Sequence, residues 1–507
     1  MKKLQKPKVY LVGAGPGDPA LITVRGAELL RSADCIICDK LVNPALLQYA
    51  PPDAEIIHVP KRKGAGSFTQ QQINRLLLEK ASENKTIVRL KGGDPCVFGR
   101  GYQEAALLAE AGLDFEIVPG ITAGIAAAAY SGILLTDRSY SSQVVFVTGR
   151  EAQDKKVSSI DWYWLAQFAG TMVFYMPVKN LEAITSELLS NGLQPDTPAA
   201  VVANAACPTQ KIVNAPVEKI AEKCRDKNIQ PPAILIIGPA AAERENFNWF
   251  MKKSLFGKNI VITRDVRGNN EFTAKLFAEA ANPVVYPAIK IKPLTRTNHF
   301  LRALTEIKQY DWIIFTSPNG VRLFFDGLCR LKKDARIFAA AKVAAVGTET
   351  AGVLAEFGIK ADFIPATFTT ERLAAELIET YNLSSKKILL LRSQVASETL
   401  TKLLGQADAV VTNVDVYTLE AEKNEAEKLI EQIKQNQIHY ITFASPKSVE
   451  YFFAQIPVGL VEKCDAKIAC IGPVTASALE KLAVKPDLTA KTHTIDGLLQ
   501  TIKDAEL

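Results

Sequence analysis

Residues 8–18 read KVYLVGAGPGD, and a helix-like segment, TVRGAELLRSA, follows at residues 23–33. A short apolar run, a glycine loop and a helical pattern together predict a strand–loop–helix unit in which the backbone can approach a ligand closely. The loop departs from the dinucleotide-binding fingerprint GxGxxG, because Asp18 replaces the third glycine and Pro16 removes an amide donor. Taken alone, the loop is explained equally well by an ordinary strand-to-helix turn.

Short runs rich in valine and isoleucine recur after this unit, with helical patterns such as QQQINRLLLEKASE (70–83) between them. The runs are ADCIICD (33–39), TIVRLKGG (86–93), FEIVPG (115–120), SQVVFVTG (142–149), GTMVFYM (170–176), PAAVVANAA (198–206) and PAILIIG (232–238). This alternation predicts an α/β fold.

A chain of 507 residues is too long for one hydrophobic core, so we expect more than one domain. A polar and basic stretch with little periodicity lies near residues 245–257, and a new strand-like run, IVITR, follows it. We therefore predict one domain at residues 1–250 and a second at residues 257–507.

The second domain repeats its own sequence, which predicts two similar α/β lobes. Three segments return later in the chain in the same order. The pairs are KNIVITR (258–264) with KKILLLR (386–392), DWIIFTSPNGVRLFF (311–325) with HYITFASPKSVEYFF (439–453), and VAAVGTETAGVL (343–354) with IACIGPVTASAL (468–479).

The composition excludes several classes of function. The net charge of +6 is spread along the chain, without the basic stripe of a nucleic-acid binder. No apolar run approaches the roughly 20 residues of a membrane span, and the start of the chain lacks a signal peptide, so we expect a soluble, cytoplasmic protein. Cys35 and Cys38, the closest cysteines, point to opposite faces of a predicted strand, and we expect no metal site.

Glycine-dense loops accompany the first one. RLKGGDP (89–95) is followed by VFGRG (97–101), and VPGITA (118–123) leads through AAAAYSGI (126–133) to LLTDR (134–138). These segments, with VGAGPGDP (12–19) and DKLV (39–42), resemble the tetrapyrrole methylase family, specifically its uroporphyrinogen-III C-methyltransferases, over nearly all of residues 7–250. The resemblance implies a two-lobed methylase domain that uses S-adenosyl-L-methionine, and a homodimer formed through that domain.

The resemblance also implies which residues bind the cofactor. They are Pro16, Gly92, Gly93, Asp94, Val97, Thr122, Ala123, Met176 and Ala205. Ala205 departs from the family, which has glycine at this position in a loop containing NGT. Cys38 replaces an aromatic residue, and Asp137 stands where the family usually has histidine.

Uroporphyrinogen III carries acetate and propionate arms, which arginine and lysine bind well. The candidates for this contact are Lys61, Arg62, Arg89, Lys91, Arg100 and Arg138. For each of them a solvated surface cation is an equally good interpretation. By resemblance, Asp39 is the proton acceptor and Lys61 the proton donor, since the attacked pyrrole must lose a proton. Alternatively, Asp39 caps a turn at the end of a strand.

In the second domain, Ser317, Thr348, Ser445 and Thr475 lie in matched loops, each after a predicted strand and before a predicted helix. Such loops lie at the carboxyl edge of an open sheet, where α/β proteins bind anions. The alternative for each loop is a Ser or Thr helix cap. We therefore treat these four residues as candidates for substrate binding.

Residues 257–507 resemble uroporphyrinogen-III synthase through ITR (262–264), FTSPNGV (315–321), ADFIP (361–365), VYT (416–418) and IGPVTA (471–476). The resemblance implies a two-lobed α/β domain that cyclises hydroxymethylbilane with inversion of its last pyrrole. In that family a tyrosine assists departure of the hydroxyl, and Tyr417 matches it. Holding the linear substrate in the productive shape is then the main task of the domain.

The two resemblances together imply consecutive reactions in one polypeptide: formation of uroporphyrinogen III, then its methylation at C-2 and C-7 to precorrin-2. S-adenosyl-L-methionine is the sole cofactor that this scheme requires. An alternative is another methylase of the tetrapyrrole family whose C-terminal half binds a tetrapyrrole without catalysis. A methylase of RNA or diphthamide is a further alternative. The sequence leaves open whether the product serves siroheme or cobalamin synthesis.

Overall fold

The computed structural model describes residues 8–59, 68–83, 85–151, 158–242, 245–264, 266–338, 341–422 and 426–507. These residues form an α/β protein with four five-stranded sheets, as the alternating pattern predicts. Across the same ranges, no helix has the length and apolar character that a bilayer crossing requires.

The first sheet is entirely parallel, with the order β3-β2-β4-β1-β5. Its strands are β1 (Lys8–Gly13), β2 (Cys35–Asp39), β3 (Glu55–Val59), β4 (Thr86–Lys91) and β5 (Asp114–Val118). Helices α1 (Val24–Arg31), α2 (Gln70–Ser82) and α3 (Gly101–Glu110) cover it. Cys38 packs on the α1 face and Cys35 on the face of α2 and α3, so the two thiols lie on opposite faces, as the alternation predicts.

The second sheet is mixed, with the order β6-β7-β10-β8-β9 and one parallel pair, β6 with β7. Its strands are β6 (Val144–Thr148), β7 (Thr171–Tyr175), β8 (Pro198–Ala203), β9 (Lys211–Pro216) and β10 (Ala233–Ile237). The helices of this part are α4 (Ala123–Ser131), α5 (Trp162–Ala166), α6 (Leu181–Ser190) and α7 (Val217–Asp226). Helix α4 follows β5 of the first sheet and packs on the second, so it connects the two lobes.

The second half of the chain builds two further sheets. Its strands are β11 (Asn259–Ile262), β12 (Asn282–Val285), β13 (Ile289–Pro293), β14 (Trp312–Phe315), β15 (Lys342–Ala345), β16 (Lys387–Ser393), β17 (Val410–Ala421), β18 (Tyr440–Phe443), β19 (Lys467–Cys470) and β20 (Leu488–Thr489). Its helices are α8 (Val266–Ala278), α9 (Asn298–Thr305), α10 (Pro318–Arg330), α11 (Thr348–Glu356), α12 (Thr370–Thr380), α13 (Thr399–Gln406), α14 (Ala426–Lys434), α15 (Pro446–Phe453), α16 (Val458–Val461), α17 (Pro473–Glu480) and α18 (Ile495–Asp504).

The internal repeat and the lobes do not coincide. The third sheet has the order β12-β11-β18-β19-β20 and the fourth the order β13-β17-β16-β14-β15. Strand β11 belongs to the first repeat but pairs with β18 of the second, and β16 of the second repeat pairs with β14 of the first. Each lobe therefore combines strands of both repeats, and the chain passes into the fourth sheet between β12 and β13 and leaves it after β17.

Candidate functional site

Three glycine loops meet at the carboxyl edge of the first sheet, because strands β4, β1 and β5 are adjacent and parallel. Gly15 and Gly93 exchange two backbone hydrogen bonds, of 3.2 and 3.1 Å. A Cβ atom on Gly13 would lie 2.6 Å from the amide nitrogen of Gly120. Only glycine allows this approach, so the three loops pack backbone against backbone and form a glycine cradle.

Asp94 joins the second loop to the third. Its Oδ1 accepts a hydrogen bond of 2.7 Å from the Cys96 amide, and its Oδ2 one of 2.9 Å from the Gly120 amide. The residue is only 8% exposed. Both carboxylate oxygens thus hold the cradle together, and a direct contact of Asp94 with a cofactor remains a prediction.

Tyr175, which sequence reasoning missed, connects the cradle to the second sheet. Its hydroxyl lies 2.8 Å from Thr122 Oγ1 and accepts a hydrogen bond of 3.0 Å from the Gly124 amide. Burial raises the pKa of Tyr175, so the phenol keeps its proton at neutral pH. It can therefore donate a hydrogen bond to Thr122 Oγ1. Its position at the end of an apolar strand is the one sequence signal that could have found it.

The other predicted cofactor residues surround this junction. Met176 follows Tyr175 with a φ of +57° and a side chain 48% exposed. Val97, Ala123 and Ala205 pack against the apolar cluster that lies between α4 and the second sheet. Pro16 and Gly92 are half-buried in the first two loops.

Ala205 is also close to the first glycine loop. A Cβ on Gly17, whose φ is +66°, would lie 2.6 Å from the carbonyl oxygen of Ala205. The backbone of the loop around Ala205 therefore borders the cradle, although its side chain replaces the family's glycine.

Four charged side chains form a buried charge chain, which is a row of ion pairs behind the cradle. Arg89 donates to Asp39 Oδ1 at 2.5 Å and to Glu104 Oε1 at 3.3 Å, and Lys91 donates to Glu104 Oε2 at 2.7 Å. Arg89 and Glu104 are fully buried and Lys91 is 1% exposed. Burial, and then the charge of Arg89, lowers the pKa of Lys91. Sequence reasoning missed Glu104, the shared acceptor.

The buried charge chain changes the interpretation of the cations that the sequence predicts to bind substrate. Arg89 and Lys91 face internal carboxylates: Arg89 positions Asp39 at the end of β2, and Lys91 pairs with Glu104. Arg100 and Arg138 are exposed and available to a ligand. Lys61 and Arg62 lie outside the described residues.

In the second half, the structure brings Ser317 and Tyr417 together. Their hydroxyl oxygens lie 3.0 Å apart, and Ser317 Oγ also accepts a hydrogen bond of 3.0 Å from the Gly320 amide as the N-cap of α10. Tyr417 is 7% exposed and pairs with Ser393 across an irregularity in the register of β16 and β17. Such bulges redirect side chains at sheet edges.

The remaining predicted substrate residues occupy equivalent positions in the two lobes. Ser445 is the N-cap of α15, with a reciprocal capping box to Ser448. Thr348 is exposed at the start of α11, whereas Thr475 is 3% exposed within α17. Because β14 neighbours β15 and β18 neighbours β19, each lobe places its two loops at one carboxyl edge. The caps observed for Ser317 and Ser445 agree with the alternative interpretation as well.

Both halves of the chain match known protein families. Residues 8–221 match the family of tetrapyrrole (corrin/porphyrin) methylases, and residues 270–500 match uroporphyrinogen-III synthase HemD. The chain is 37% identical to the porphyrin biosynthesis protein HemD of Ruminiclostridium josui over 97% of both chains. These matches confirm the two resemblances inferred from the motifs.

Two further relatives, both methyltransferases by name, match a smaller share of the chain. The uroporphyrinogen-III C-methyltransferase of Bacillus subtilis (strain 168) is 38% identical over 65% of this chain and 67% of its own. The S-adenosyl-L-methionine-dependent uroporphyrinogen III methyltransferase of Methanosarcina barkeri is 45% identical over 46% of this chain and 91% of its own. The chain belongs to the family of tetrapyrrole biosynthesis proteins in which a uroporphyrinogen-III C-methyltransferase half is fused to a uroporphyrinogen-III synthase half.

Proposed function

We propose that the chain performs two consecutive reactions. The C-terminal half cyclises hydroxymethylbilane to uroporphyrinogen III, and the N-terminal half methylates that product at C-2 and C-7 to give precorrin-2. The observation that carries the proposal is the match of both halves, in order, to a porphyrin biosynthesis protein over 97% of each chain.

The glycine cradle is suited to S-adenosyl-L-methionine, the cofactor in the name of the M. barkeri relative. Gly13, Gly93 and Gly120 pack backbone against backbone at the edge of a parallel sheet, and Val97 and Ala123 beside them join the apolar cluster of the second sheet. Such a site suits a ligand with a polar amino-acid end and a flat apolar base. The bound cofactor supplies a methyl group that its sulfonium has already activated.

The buried charge chain supports a role for Asp39 as the proton acceptor. Asp39 stands at the carboxyl end of β2 with its side chain 20% exposed, and Arg89 holds it from inside the protein. A fixed carboxylate at this edge can take the proton that the attacked pyrrole must lose once its carbon has gained the methyl group. In this scheme Arg100 and Arg138 bind the carboxylate arms of the substrate, and Lys61 returns a proton.

In the synthase half we assign Tyr417 to the departing hydroxyl group. Its phenol is held by Ser317 at the start of α10, where the amino end of a helix favours negative charge. A fixed donor in such a place can assist departure of a hydroxyl from the linear tetrapyrrole. The loops of Thr348, Ser445 and Thr475 then bind the acidic arms.

The proposed assembly is a homodimer formed through the methylase half, in the cytoplasm. Exposed apolar side chains of that half, among them Tyr102 and Leu134, are available for such a contact. All eight cysteines are free thiols, as is usual in a reducing compartment.

The proposed function predicts a specific pair of products. Hydroxymethylbilane supplied to the full chain without S-adenosyl-L-methionine should give uroporphyrinogen III alone. With the cofactor, the product should gain two methyl groups, as measured by mass spectrometry with isomer analysis. Only the unrotated isomer I would contradict a catalytic C-terminal half, and uroporphyrinogen III that stays unmethylated would contradict the proposed substrate of the methylase.

The proposed domains predict that the chain can be divided. Phe250 packs on Tyr130 of the methylase half, whereas Leu255 lies in the core around Ile260 of the synthase half. Fragments 1–252 and 253–507 therefore keep these core residues. The cut divides only a small apolar cluster that Tyr130 and Phe250 form with Ala280, and each fragment should fold and retain its reaction. Circular dichroism and the two product assays test this. Two insoluble or inactive fragments beside an active full chain would contradict the division.

A further inference from the structure

Tyr130, at the C-terminal end of α4, connects to the end of the first glycine loop. Its hydroxyl donates a hydrogen bond of 2.8 Å to Asp18 Oδ2. The other oxygen of Asp18 accepts one of 2.8 Å from the Ala20 amide and caps the short 3₁₀ turn that follows. Tyr130 is only 8% exposed. A buried phenol thus fixes the carboxylate that closes the loop.

The same loop end is held from two other directions. Asn43 Nδ2 donates to the carbonyl oxygen of Gly17 at 2.7 Å, and Gly17 itself packs against the backbone of Ala205 and Ala206. Glycine takes the φ of +66° without strain and leaves room for the backbone of Ala205 and Ala206, so these contacts and the Asp18 carboxylate together hold the end of the loop. We expect loss of one contact to loosen backbone that borders the cradle.

The linker between the two halves holds the ring of Tyr130. The rings of Trp249 and Phe250 lie 5.1 and 4.8 Å from it, and Trp249 Nε1 donates to the Ala129 carbonyl at 3.0 Å. Phe250 is 2% exposed and belongs to one apolar cluster with Tyr130 and Ala280, a residue of the synthase half. This segment, predicted from its sequence to be a polar linker, is thus packed against the methylase half.

We infer that Tyr130 is a positioning residue for the methyl donor, which acts through Asp18 and is held in place by Trp249 of the linker. The inference rests on the proposed function, because it takes the glycine cradle as the donor site. It assigns a task in that site to a residue and a linker segment that the motifs left without one. Packing alone is the competing explanation, and it requires no effect on the donor.

Tyr130→Phe tests the inference in the full chain, with S-adenosylhomocysteine as the probe. We expect its dissociation constant and the KM for S-adenosyl-L-methionine to rise about tenfold, the size expected for loss of one hydrogen bond to a charged group. The rate at saturating donor and the synthase reaction should remain at the wild-type level. Tyr163→Phe is the matched control, because Tyr163 lies in the same half and is 69% exposed.

Three further variants test the route of the effect. If Tyr130 acts through Asp18, then Asp18→Ala and the double variant Asp18→Ala/Tyr130→Phe should bind the probe equally weakly. Trp249 is 47% exposed. Trp249→Ala should therefore lower the affinity for the probe severalfold without unfolding the chain. Additive losses in the double variant, or an unchanged affinity in Trp249→Ala, would overturn that part of the inference.

The outcomes separate the inference from the proposed function. A wild-type affinity for S-adenosylhomocysteine in Tyr130→Phe, with or without a lower melting temperature, leaves Tyr130 as a packing residue and overturns the inference. Failure of the wild-type chain itself to bind the probe overturns the donor site and the inference with it. A rise in both constants at an unchanged saturated rate supports both.

Discussion

Replacing Glu104 by glutamine is expected to destabilise the methylase half by about 3–5 kcal/mol, the usual cost of breaking a buried ion pair. Glu104 is fully buried and accepts from both Arg89 and Lys91. Arg89 keeps Asp39 as a partner, but Lys91 loses its carboxylate in a place that water does not reach. The melting temperature of this half should fall by roughly 10 °C, and methylation should weaken because Arg89, which holds Asp39, loses its second carboxylate partner.

The pH dependence of that loss has a defined sign. Burial already lowers the pKa of Lys91 below its ordinary 10.5, and removal of the Glu104 charge lowers it further. Between the lowered pKa of Lys91 in the folded chain and its ordinary value of 10.5, the unfolded chain holds a proton on Lys91 that the folded chain does not. The free energy of unfolding therefore rises with pH in this interval. The difference in melting temperature between Glu104→Gln and wild type should therefore shrink as the pH is raised toward 10.5.

Two additional variants provide the controls. Glu110→Gln changes an exposed residue of the same helix, α3, and should leave the melting temperature unchanged. Glu104→Gln/Lys91→Met removes the unpaired cation as well and should recover part of the lost stability. A Glu104→Gln protein as stable as wild type at pH 7 would show that the buried charges are satisfied without this carboxylate.

The strands could be predicted from sequence wherever they are buried on both faces. ADCIICD and PAILIIG are continuous apolar runs, and they form β2 and β10. Among the edge strands of the first two sheets, β5 and β6 are predicted by FEIVPG and SQVVFVTG. The other two, β3 (EIIHV) and β9 (KIVNAP), contain charged or polar residues and are not predicted. The repeat predicted two similar lobes, but pairing between distant strands decides which segments share a sheet, and a local pattern does not contain that information.

The candidate site, too, could be predicted from sequence only in part. Glycine loops reveal themselves in the sequence, because close backbone approach requires that residue type. Glu104 and Tyr130 lie in ordinary helices, and their roles arise from partners 13 and 112 residues away in the chain. Arg89 and Lys91 were predicted to bind substrate because sequence alone does not tell a buried cation from an exposed one.

Tyr417→Phe is expected to slow formation of uroporphyrinogen III about a hundredfold, the usual contribution of a positioned proton donor. The unrotated isomer should accumulate, because the linear substrate then closes without the enzyme's help. Ser317 keeps its hydrogen bond from the Gly320 amide and loses only its contact with the phenol. Stability should therefore change by no more than about 1 kcal/mol.

The competing explanation is that Tyr417 only packs in the core of the fourth-sheet lobe, to which its ring belongs. Tyr440→Phe separates the two: Tyr440 is also buried and donates to Glu506, but it starts β18 at the opposite edge from the predicted substrate loops. Initial rate, isomer ratio and melting temperature should be measured on both variants. Packing alone predicts similar, small effects from the two substitutions, whereas a catalytic hydroxyl predicts loss of isomer III from Tyr417→Phe only. A wild-type rate with isomer III as sole product would remove Tyr417 from the chemistry and leave the assignment of the domain intact.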